Sequence, residues 1–166
     1  GELALRVDIP PVLFNVTTGG DTRAIGGVLT SHPLVRKVTF TGSTEVGRVL
    51  LQQSASTIKK CSMELGGNAP CIVFDDADIE TAVEGILVAK FRNTGQSCIA
   101  ANRVMVQAGI YDVLAARLAE RVKQLKVGNG LEPGVQIGPM IDAGAVSKVE
   151  EHVDNAVAGG AVLPSG

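Results

Sequence analysis

Hydrophobic and polar positions along this chain of 166 residues follow two periodicities in turn. Short apolar runs rich in Val, Ile and Phe are typical of strands, whereas apolar residues three or four positions apart predict amphipathic helices. The predicted strands are residues 13–16, 37–40, 60–65, 71–74 and 103–107. The predicted helices are residues 21–31, 43–54, 78–93, 110–125 and 143–158.

The alternation of strands with helices predicts an α/β fold, in which helices flank a mainly parallel sheet. The most regular predicted helix carries its apolar residues on one face: Ile110, Val113, Leu114, Leu118, Val122 and Leu125. The chain starts at Gly1 with a stretch typical of the end of a helix, and a further strand is predicted to begin at residue 162. We therefore expect both ends to be interior points of a longer protein.

Composition narrows the possible partners of the chain. Apolar residues make up 45% of it and the formal net charge is -2, which is typical of a globular protein. An aromatic content of 3% without a basic excess argues against a nucleic-acid partner. No signal peptide is visible, and no apolar run approaches the roughly 20 residues of a membrane span. The sequence therefore predicts neither a nucleic-acid nor a membrane partner.

Three cysteines, Cys61, Cys71 and Cys98, lack the paired spacing of a zinc site and are odd in number. Reduced thiols in the cytoplasm fit this pattern better than a disulfide framework or a metal centre. We interpret Cys61 and Cys71 as small apolar residues of strands, because both lie inside strand-like runs. Cys98 differs, because it ends a polar stretch that contains a glycine.

Two glycine-marked turns carry the candidate chemistry. Cys98 ends the stretch Phe-Arg-Asn-Thr-Gly-Gln-Ser-Cys, and Glu64 lies in Met-Glu-Leu-Gly-Gly-Asn. A cysteine thiolate is a strong nucleophile that suits addition to a carbonyl, and a buried carboxylate has the raised pKa that a general base needs. The alternatives are a buried apolar cysteine and a solvated or salt-bridged glutamate at a strand end.

A third stretch, Phe-Thr-Gly-Ser-Thr-Glu-Val-Gly at residues 40–47, predicts a strand that turns through Gly42 into a helix. The unpaired N–H groups at such a helix start can bind an anion. The alternative is an ordinary helix with Ser43 as its N-cap and Glu45 in its first turn. The sequence contains neither a Gly-x-Gly-x-x-Gly fingerprint nor a P-loop.

Together these three stretches resemble, in order and spacing, the signature sequences of the aldehyde dehydrogenase superfamily. Residues 64–69, 72–78 and 91–95 resemble the succinate-semialdehyde dehydrogenase subfamily most. The resemblance implies that residues 1–66 are the C-terminal half of a Rossmann-like nucleotide-binding domain. Residues 67–166 would then be the N-terminal part of the catalytic domain. Because members of the superfamily have several hundred residues, the resemblance covers only a central third of such a protein.

The resemblance implies NAD(P)-dependent oxidation of an aldehyde to a carboxylic acid. Cys98 would add to the aldehyde to form a thiohemiacetal, whose oxyanion is held partly by the Cys98 N–H. Loss of hydride to the cofactor would leave a thioester, which water activated by Glu64 would hydrolyse. We expect the two side chains to line one pocket reached by a nicotinamide ring.

Cofactor contacts follow from the resemblance in the same way. Gly42 and Ser43 would contact the diphosphate of NAD or NADP, Val46 would pack near the adenine, and Leu65 would contact the nicotinamide ribose region through its backbone. The choice between NAD and NADP is left open, because the discriminating residues of the family would precede Gly1. The resemblance also implies a homo-oligomer for the full-length form.

Arg92 narrows the substrate. It lies six residues before Cys98, and a guanidinium beside the nucleophile can hold a substrate carboxylate with two hydrogen bonds. Similar arginines in succinate-semialdehyde dehydrogenases bind the substrate carboxylate. The alternative is a surface arginine that stabilises a helix end. The favoured substrate is therefore succinate semialdehyde, a small-molecule aldehyde.

Other functions remain possible at this level. The substrate could be glutarate semialdehyde or an uncharged aldehyde, or the chain could be a non-catalytic fragment that acts as an interaction module. We expect the 166 residues alone to oxidise no aldehyde at a useful rate, because further family site residues would lie outside them. Some relatives have a second cysteine where Ala100 stands, so a disulfide switch between neighbouring cysteines is not available at this loop.

Overall fold

The computed structural model describes residues 2–164, which form two compact units that meet between Leu65 and Gly66. The first unit contains helices α1 (Glu2–Arg6), α2 (Thr22–Ser31) and α3 (Thr44–Ala55), with strands β1 (Lys37–Gly42) and β2 (Lys60–Leu65). The second contains strands β3 (Ala69–Val73) and β4 (Ala101–Val106), helices α4 (Ile79–Phe91), α5 (Tyr111–Lys123) and α6 (Ala143–Ala158), and a 3-10 turn (Arg92–Gly95). The assignment of these units to nucleotide-binding and catalytic domains stays a prediction.

Strands β1 and β2 of the first unit are parallel, and α3 is the connection between them. Their register pairs Lys37 with Lys60 at one end and Gly42 with Leu65 at the other. Helix α2 packs against α3, where the buried Thr30 hydroxyl is 2.9 Å from the side-chain oxygen of Gln53. This arrangement puts the carboxyl ends of both strands at one edge, the edge at which α3 begins.

The second unit repeats the parallel strand, helix and strand pattern. Strands β3 and β4 are parallel with a register shift between Ala69 and Pro70, and α4 connects them. The core lies between these strands and helices α4 and α5, and it consists of Val73, Val83, Ile86, Leu87 and Leu114. Burial of such side chains stabilises a fold by about 1.5–3 kcal/mol each. The predicted α/β class with parallel strands and flanking helices is confirmed.

Helix starts follow local capping signals in the sequence. The side chains of Asp21, Ser43, Asp78 and Asp142 each accept a hydrogen bond from the backbone N–H three residues later. Such a bond satisfies one of the unpaired donors at a helix start. The predicted starts near these positions are therefore confirmed.

The strand predicted at residues 13–16 is wrong. These residues have no regular structure apart from a turn at Leu13, and the side chains of Leu13, Phe14 and Val16 are all more than half exposed. A strand needs a neighbour for its N–H and C=O groups, and β1 and β2 pair only with each other in the described part of the chain. An apolar run alone does not supply that neighbour.

Smaller differences concern single residues. Val113, placed by its spacing on the apolar face of α5, is 61% exposed, while Leu114 is 1% exposed in the core. The strand expected from residue 162 is absent at Val162 and Leu163, and its last two positions lie outside the described residues. Between residues 2 and 164, no helix combines the length and apolarity needed to cross a membrane.

Candidate active site

The start of α3 has the geometry of a capped helix. Ser43 is the N-cap, with extended backbone, and its hydroxyl accepts a hydrogen bond of 3.3 Å from the Val46 N–H. Its carbonyl accepts another, of 3.0 Å, from the Gly47 N–H. The predicted capping role of Ser43 is confirmed, and the hydroxyl lies on an exposed residue at the end of β1.

The end of β2 lies beside this helix start. The parallel register pairs Thr41 with Glu64 and Gly42 with Leu65. A Cβ added at Gly47 would lie 2.6 Å from Cδ2 of Leu65, so α3 and β2 approach closely because Gly47 has no side chain. The first unit therefore brings together the residues predicted to hold the cofactor: Gly42, Ser43, Val46 and Leu65. Ligands of parallel α/β proteins commonly bind at this edge.

Glu45 places a carboxylate at this edge. The pKa of its carboxyl is held below the ordinary value, first by a hydrogen bond to its own backbone N–H and next by one to the Ser43 side chain. A carboxylate at a helix start is stabilised by the partial positive charge there. Gly42, Ser43 and Glu45 are exposed, and the ring of Phe40 fills the space where a Gly42 side chain would lie. Contact of a dinucleotide diphosphate with this edge stays a prediction.

Glu64 is exposed near the end of β2. Residues 2–164 therefore do not bury this carboxylate. Its predicted role as a base stays a prediction. The same holds for the pocket that Glu64 is predicted to share with Cys98, because the two residues belong to different units.

Cys98 follows an unusual loop in the second unit. Helix α4 ends at Phe91, and three successive residues, Asn93, Thr94 and Gly95, have left-handed backbone with φ of 54°, 60° and 74°. Cys98 then lies in an exposed turn closed by a 3.1 Å hydrogen bond from the Ala100 N–H to the Ser97 carbonyl. Among residues 2–164, no backbone carbonyl accepts a hydrogen bond from the Cys98 N–H.

Gly67 contacts the backbone of Cys98. A Cβ added at Gly67 would lie 2.8 Å from the Cys98 carbonyl oxygen, a distance that real Cβ atoms essentially never show. The same segment is tied to β4, because Asn102 Nδ2 donates to the Gly67 carbonyl at 3.3 Å and Arg103 Nη2 donates to the Asn68 carbonyl at 2.9 Å. Glycine is therefore required here by close approach of two backbones.

The three thiols differ in their surroundings. Cys61 lies in β2 and Cys71 in β3, and both are partly buried, whereas Cys98 is exposed. Cys71 packs against the core of the second unit. A reagent or substrate in solution thus has freest access to Cys98.

Arg92 is the first residue of the 3-10 turn and is exposed. Within residues 2–164 its guanidinium forms no ion pair. Arg117, by contrast, pairs with Glu80 and Glu120, and the hydrogen bond to Glu80 is the main reason that its pKa is raised. Arg92 therefore retains its hydrogen-bond donors for an anionic ligand.

Sequence reasoning missed two residues of the cysteine loop. Thr94 Oγ1 accepts a hydrogen bond of 3.1 Å from the Gly138 N–H, and the Gln96 side chain bonds to the backbone of Pro139 and Ile141. The available signal was Thr94 itself, which precedes the loop glycine. Threonine is β-branched and avoids the left-handed backbone that asparagine and glycine tolerate. Its partners, more than 40 residues later, leave no mark on the local sequence.

The fold and these residues define an α/β protein with a parallel strand, helix and strand edge in one unit and an exposed cysteine turn in the other. The sequence profile of the aldehyde dehydrogenase family matches residues 1–166, so the chain belongs to the aldehyde dehydrogenase family. No group of three His, Cys, Asp or Glu side chains in residues 2–164 is placed to hold a metal ion.

Among curated relatives, the chain is 58% identical to a glutarate-semialdehyde dehydrogenase of Pseudomonas aeruginosa and 57% identical to the succinate-semialdehyde dehydrogenase (NADP+) GabD of Escherichia coli. It is also 58% identical to a 3-sulfolactaldehyde dehydrogenase of Pseudomonas putida. Each alignment covers 99% of this chain and 34% of the relative. The chain therefore spans about a third of the length of these proteins.

Solved structures agree with this membership. An aldehyde dehydrogenase from Brucella melitensis biovar abortus is similar with a TM-score of 0.96 and 56% identity, over 99% of this chain and 34% of that one. A betaine aldehyde dehydrogenase from Staphylococcus aureus in complex with NAD+ is similar with a TM-score of 0.80 and 38% identity. That match covers 84% of this chain and 28% of the other.

Proposed function

We propose that this chain supplies the nucleophile and part of the cofactor edge of an NAD(P)-dependent aldehyde dehydrogenase. The substrate we favour is a short aldehyde with a distal acid group, succinate semialdehyde first. The observation that carries this proposal is the exposed Cys98 turn, in which a thiol and an open backbone N–H come from the same residue. Membership of the aldehyde dehydrogenase family supports it.

Cys98 performs the first step. Its thiolate adds to the aldehyde carbon and forms a thiohemiacetal, and the Cys98 N–H donates a hydrogen bond to the developing oxyanion. Preorganised donors of this kind stabilise charge that appears in the transition state. The close contact with Gly67 fixes the backbone from which both groups project.

The cofactor edge belongs to the first unit. Gly42 and Ser43 hold the diphosphate at the start of α3, Val46 faces the adenine and Leu65 contacts the ribose region. When bound, the oxidised dinucleotide supplies the hydride acceptor that the oxidation requires. Exposed positions at the end of β1 support this assignment. The E. coli relative is named for NADP+ and the S. aureus structure contains NAD+, so both cofactors are candidates.

Glu64 acts last, by taking a proton from the water that hydrolyses the Cys98 thioester. The acid product leaves and the thiolate is regenerated. Sequence connectivity supports this role, because Glu64 precedes by three residues the glycine that contacts Cys98.

Arg92 holds the distal acid group of the substrate. Its exposed guanidinium, without an ion-pair partner in the described residues, supports this role. The substrates named for three relatives, glutarate semialdehyde, succinate semialdehyde and 3-sulfolactaldehyde, each carry an acid group apart from the aldehyde. A guanidinium binds carboxylate and sulfonate oxygens in the same bidentate way. We therefore extend the substrate class to anionic aldehydes in general.

The test of activity uses the full-length protein that contains this sequence. Formation of reduced nicotinamide with succinate semialdehyde is followed for the wild type, Cys98→Ser and the control Cys71→Ser. We expect Cys98→Ser to lose activity at least about 1000-fold, because the nucleophile is removed, and Cys71→Ser to retain it. Equal activity of wild type and Cys98→Ser would overturn the proposal. Failure of the wild type with every aldehyde would favour the interaction module.

The substrate is tested with Arg92→Leu and pairs of aldehydes, each pair consisting of a carboxylate aldehyde and an uncharged aldehyde of the same length. For succinate and glutarate semialdehydes we expect KM to rise by about 10- to 100-fold, because a charge-assisted bidentate contact is lost. The uncharged aldehyde of the same length is the control and should keep its KM within about twofold. An equal rise for both kinds of aldehyde would remove Arg92 from substrate binding and favour uncharged substrates.

We also propose a cytoplasmic location and a homo-oligomeric full-length protein. The three free cysteines support a reducing compartment. The oligomer rests on the family resemblance, and measurement of the mass of the full-length protein in solution tests it.

A further inference from the structure

We propose that Thr94 and Gln96 are positioning residues that hold the Cys98 turn in its reactive place by binding the backbone of residues 138–141. The inference rests on the proposed function for its kinetic consequence only. Its structural content, an anchored cysteine loop, follows from the hydrogen bonds of the second unit alone.

The loop requires an anchor because its backbone is strained. Asn93 and Gly95 tolerate left-handed backbone, but Thr94, at φ 60° and ψ 27°, has a branched Cβ that disfavours it. Strained residues of this kind persist only where surrounding contacts over-determine them. The residues that hold this loop therefore also set the place of Cys98, four residues after Thr94.

Gln96 forms a two-sided bond to the chain at residues 139–141. Its Oε1 accepts a hydrogen bond of 3.0 Å from the Ile141 N–H, and its Nε2 donates one of 3.4 Å to the Pro139 carbonyl. The side-chain amide thus pairs with a donor and an acceptor two residues apart, as a neighbouring peptide of a sheet would. Two bonds from one planar amide fix its orientation, which one bond would leave free to rotate.

Thr94 adds a bond on the same segment. Its Oγ1 accepts a hydrogen bond of 3.1 Å from the Gly138 N–H. A Cβ at Gly138 would lie 3.8 Å from the same oxygen. The residue that strains the loop therefore also contributes to its anchor. This explains why threonine occupies a position where glycine or asparagine would cost less backbone energy.

The other side of the anchor is itself held to the fold. The Ile137 N–H donates to the Lys126 carbonyl at 3.2 Å, and the Gly128 N–H donates to the Ile137 carbonyl at 3.0 Å. Val127 and Ile137 form a parallel β-bridge. Leu125, two residues before Val127, packs against the core of the second unit. A continuous series of contacts thus runs from the core through residues 126–128 and 136–141 to the cysteine loop.

The experiment uses the full-length protein and two independent readouts. Hydrogen exchange of the peptide containing residues 93–99 reports loop order without any need for activity, and steady-state kinetics report kcat and KM for succinate semialdehyde. The test variants are Thr94→Val and Gln96→Leu. Thr94→Ser is the conservative variant, because it keeps the hydroxyl acceptor. Gln107→Leu is the matched control, because it removes a comparable 2.9 Å bond from the Asp75 N–H elsewhere in the same unit.

We expect exchange of residues 93–99 to rise about fivefold or more in Thr94→Val and Gln96→Leu, as loss of a hydrogen bond implies. The value of kcat should fall by about 10- to 100-fold with KM within about twofold, since misplacement of a nucleophile costs rate rather than affinity. Thr94→Ser and Gln107→Leu should match the wild type in both. If Gln96→Leu does not fold, Gln96→Glu is measured in the same two ways. It keeps the acceptor for the Ile141 N–H and loses the donor to the Pro139 carbonyl.

If residues 93–99 exchange at the wild-type rate in both test variants, the proposal that Thr94 and Gln96 anchor the loop is overturned. Increased exchange with unchanged kcat would overturn the positioning role and leave the anchor as a structural feature only. An inactive wild-type protein would contradict the proposed function, and the exchange readout would then decide whether the anchor exists. The two proposals therefore fail in distinguishable ways.

Discussion

The start of α3 and the loop before β4 differ in what holds them. At the start of α3, the N-cap Ser43 accepts a hydrogen bond from the Val46 N–H within its own turn. The cysteine loop has left-handed backbone at residues 93–95, and its side chains bond to residues more than 40 positions away. Local chemistry suffices for the first region, whereas the second depends on the folded unit around it.

This difference indicates which of the two regions is more sensitive to substitution. A capped helix start keeps its shape as long as a few neighbouring residues are kept. A strained loop persists only where its surrounding contacts over-determine it. In the full-length protein, single substitutions should therefore disturb the cysteine loop more than they disturb the helix start.

Among substitutions that test this contrast, the largest effect is expected at Gly67. Gly67→Ala puts a Cβ 2.8 Å from the Cys98 carbonyl oxygen, so the cysteine turn must shift. We expect kcat to fall by about 10- to 100-fold, because small displacements of a nucleophile are costly. Gly66→Ala is the control, since nothing lies within 4 Å of its Cβ. Similar kcat values for the two variants would show that close packing against Gly67 does not place Cys98.

A smaller effect is expected where α3 meets β2. Gly47→Ala puts a Cβ 2.6 Å from Cδ2 of Leu65, and we expect a net loss of stability of about 1–2 kcal/mol from overpacking. Gly27→Ala in α2 has nothing within 4 Å and should gain about 0.5–1 kcal/mol from helix propensity. Thermal unfolding of both variants measures the contrast. A stabilised Gly47→Ala would mean that Leu65 turns aside without cost.

The Ser43 cap should stabilise the first turn of α3 by about as much as N-caps usually do. Ser43→Ala removes the acceptor for the Val46 N–H, and we expect the first turn of α3 to open more readily by about 1 kcal/mol, measured by hydrogen exchange. Ser43→Asp keeps the cap but repels a diphosphate. It should retain wild-type exchange and bind the dinucleotide more weakly. Unchanged dinucleotide affinity in Ser43→Asp would argue against a diphosphate at this edge.

The smallest effect is the contribution of Glu45, in the first turn of α3, to the dependence of stability on acid pH. The pKa of Glu45 is lowered in the fold from its ordinary 4.5, mainly by the bond to its own N–H. A lowered pKa stabilises the fold above the unfolded value, and this contribution is lost as pH falls through the folded value. The Tm difference between wild type and Glu45→Gln should be about 1 °C or less and should shrink below pH 4.5. A difference that grows in acid would contradict this assignment.

Much of the fold could be predicted because its signals are local. Four of the five predicted strands form, and the helix caps at Asp21, Ser43, Asp78 and Asp142 mark the helix starts. The strand at residues 13–16 failed because pairing depends on a neighbour, which an apolar run does not specify. The prediction that Val113 lies on the covered face of α5 was wrong for a similar reason. Spacing predicts which residues share a helix face but not which part of that face another element covers.

The candidate site divides along the same line. Sequence alone indicated the candidate residues: the thiol at position 98, the carboxylate at 64, the guanidinium at 92 and the glycine and serine at the start of α3. Only the tertiary structure decided that Gly67 lies against the Cys98 carbonyl and that Thr94 and Gln96 bind residues 138–141. The physical reason is that a residue type brings its reactivity wherever it stands, whereas a hydrogen bond or a steric contact exists only when folding brings two distant parts of the chain together.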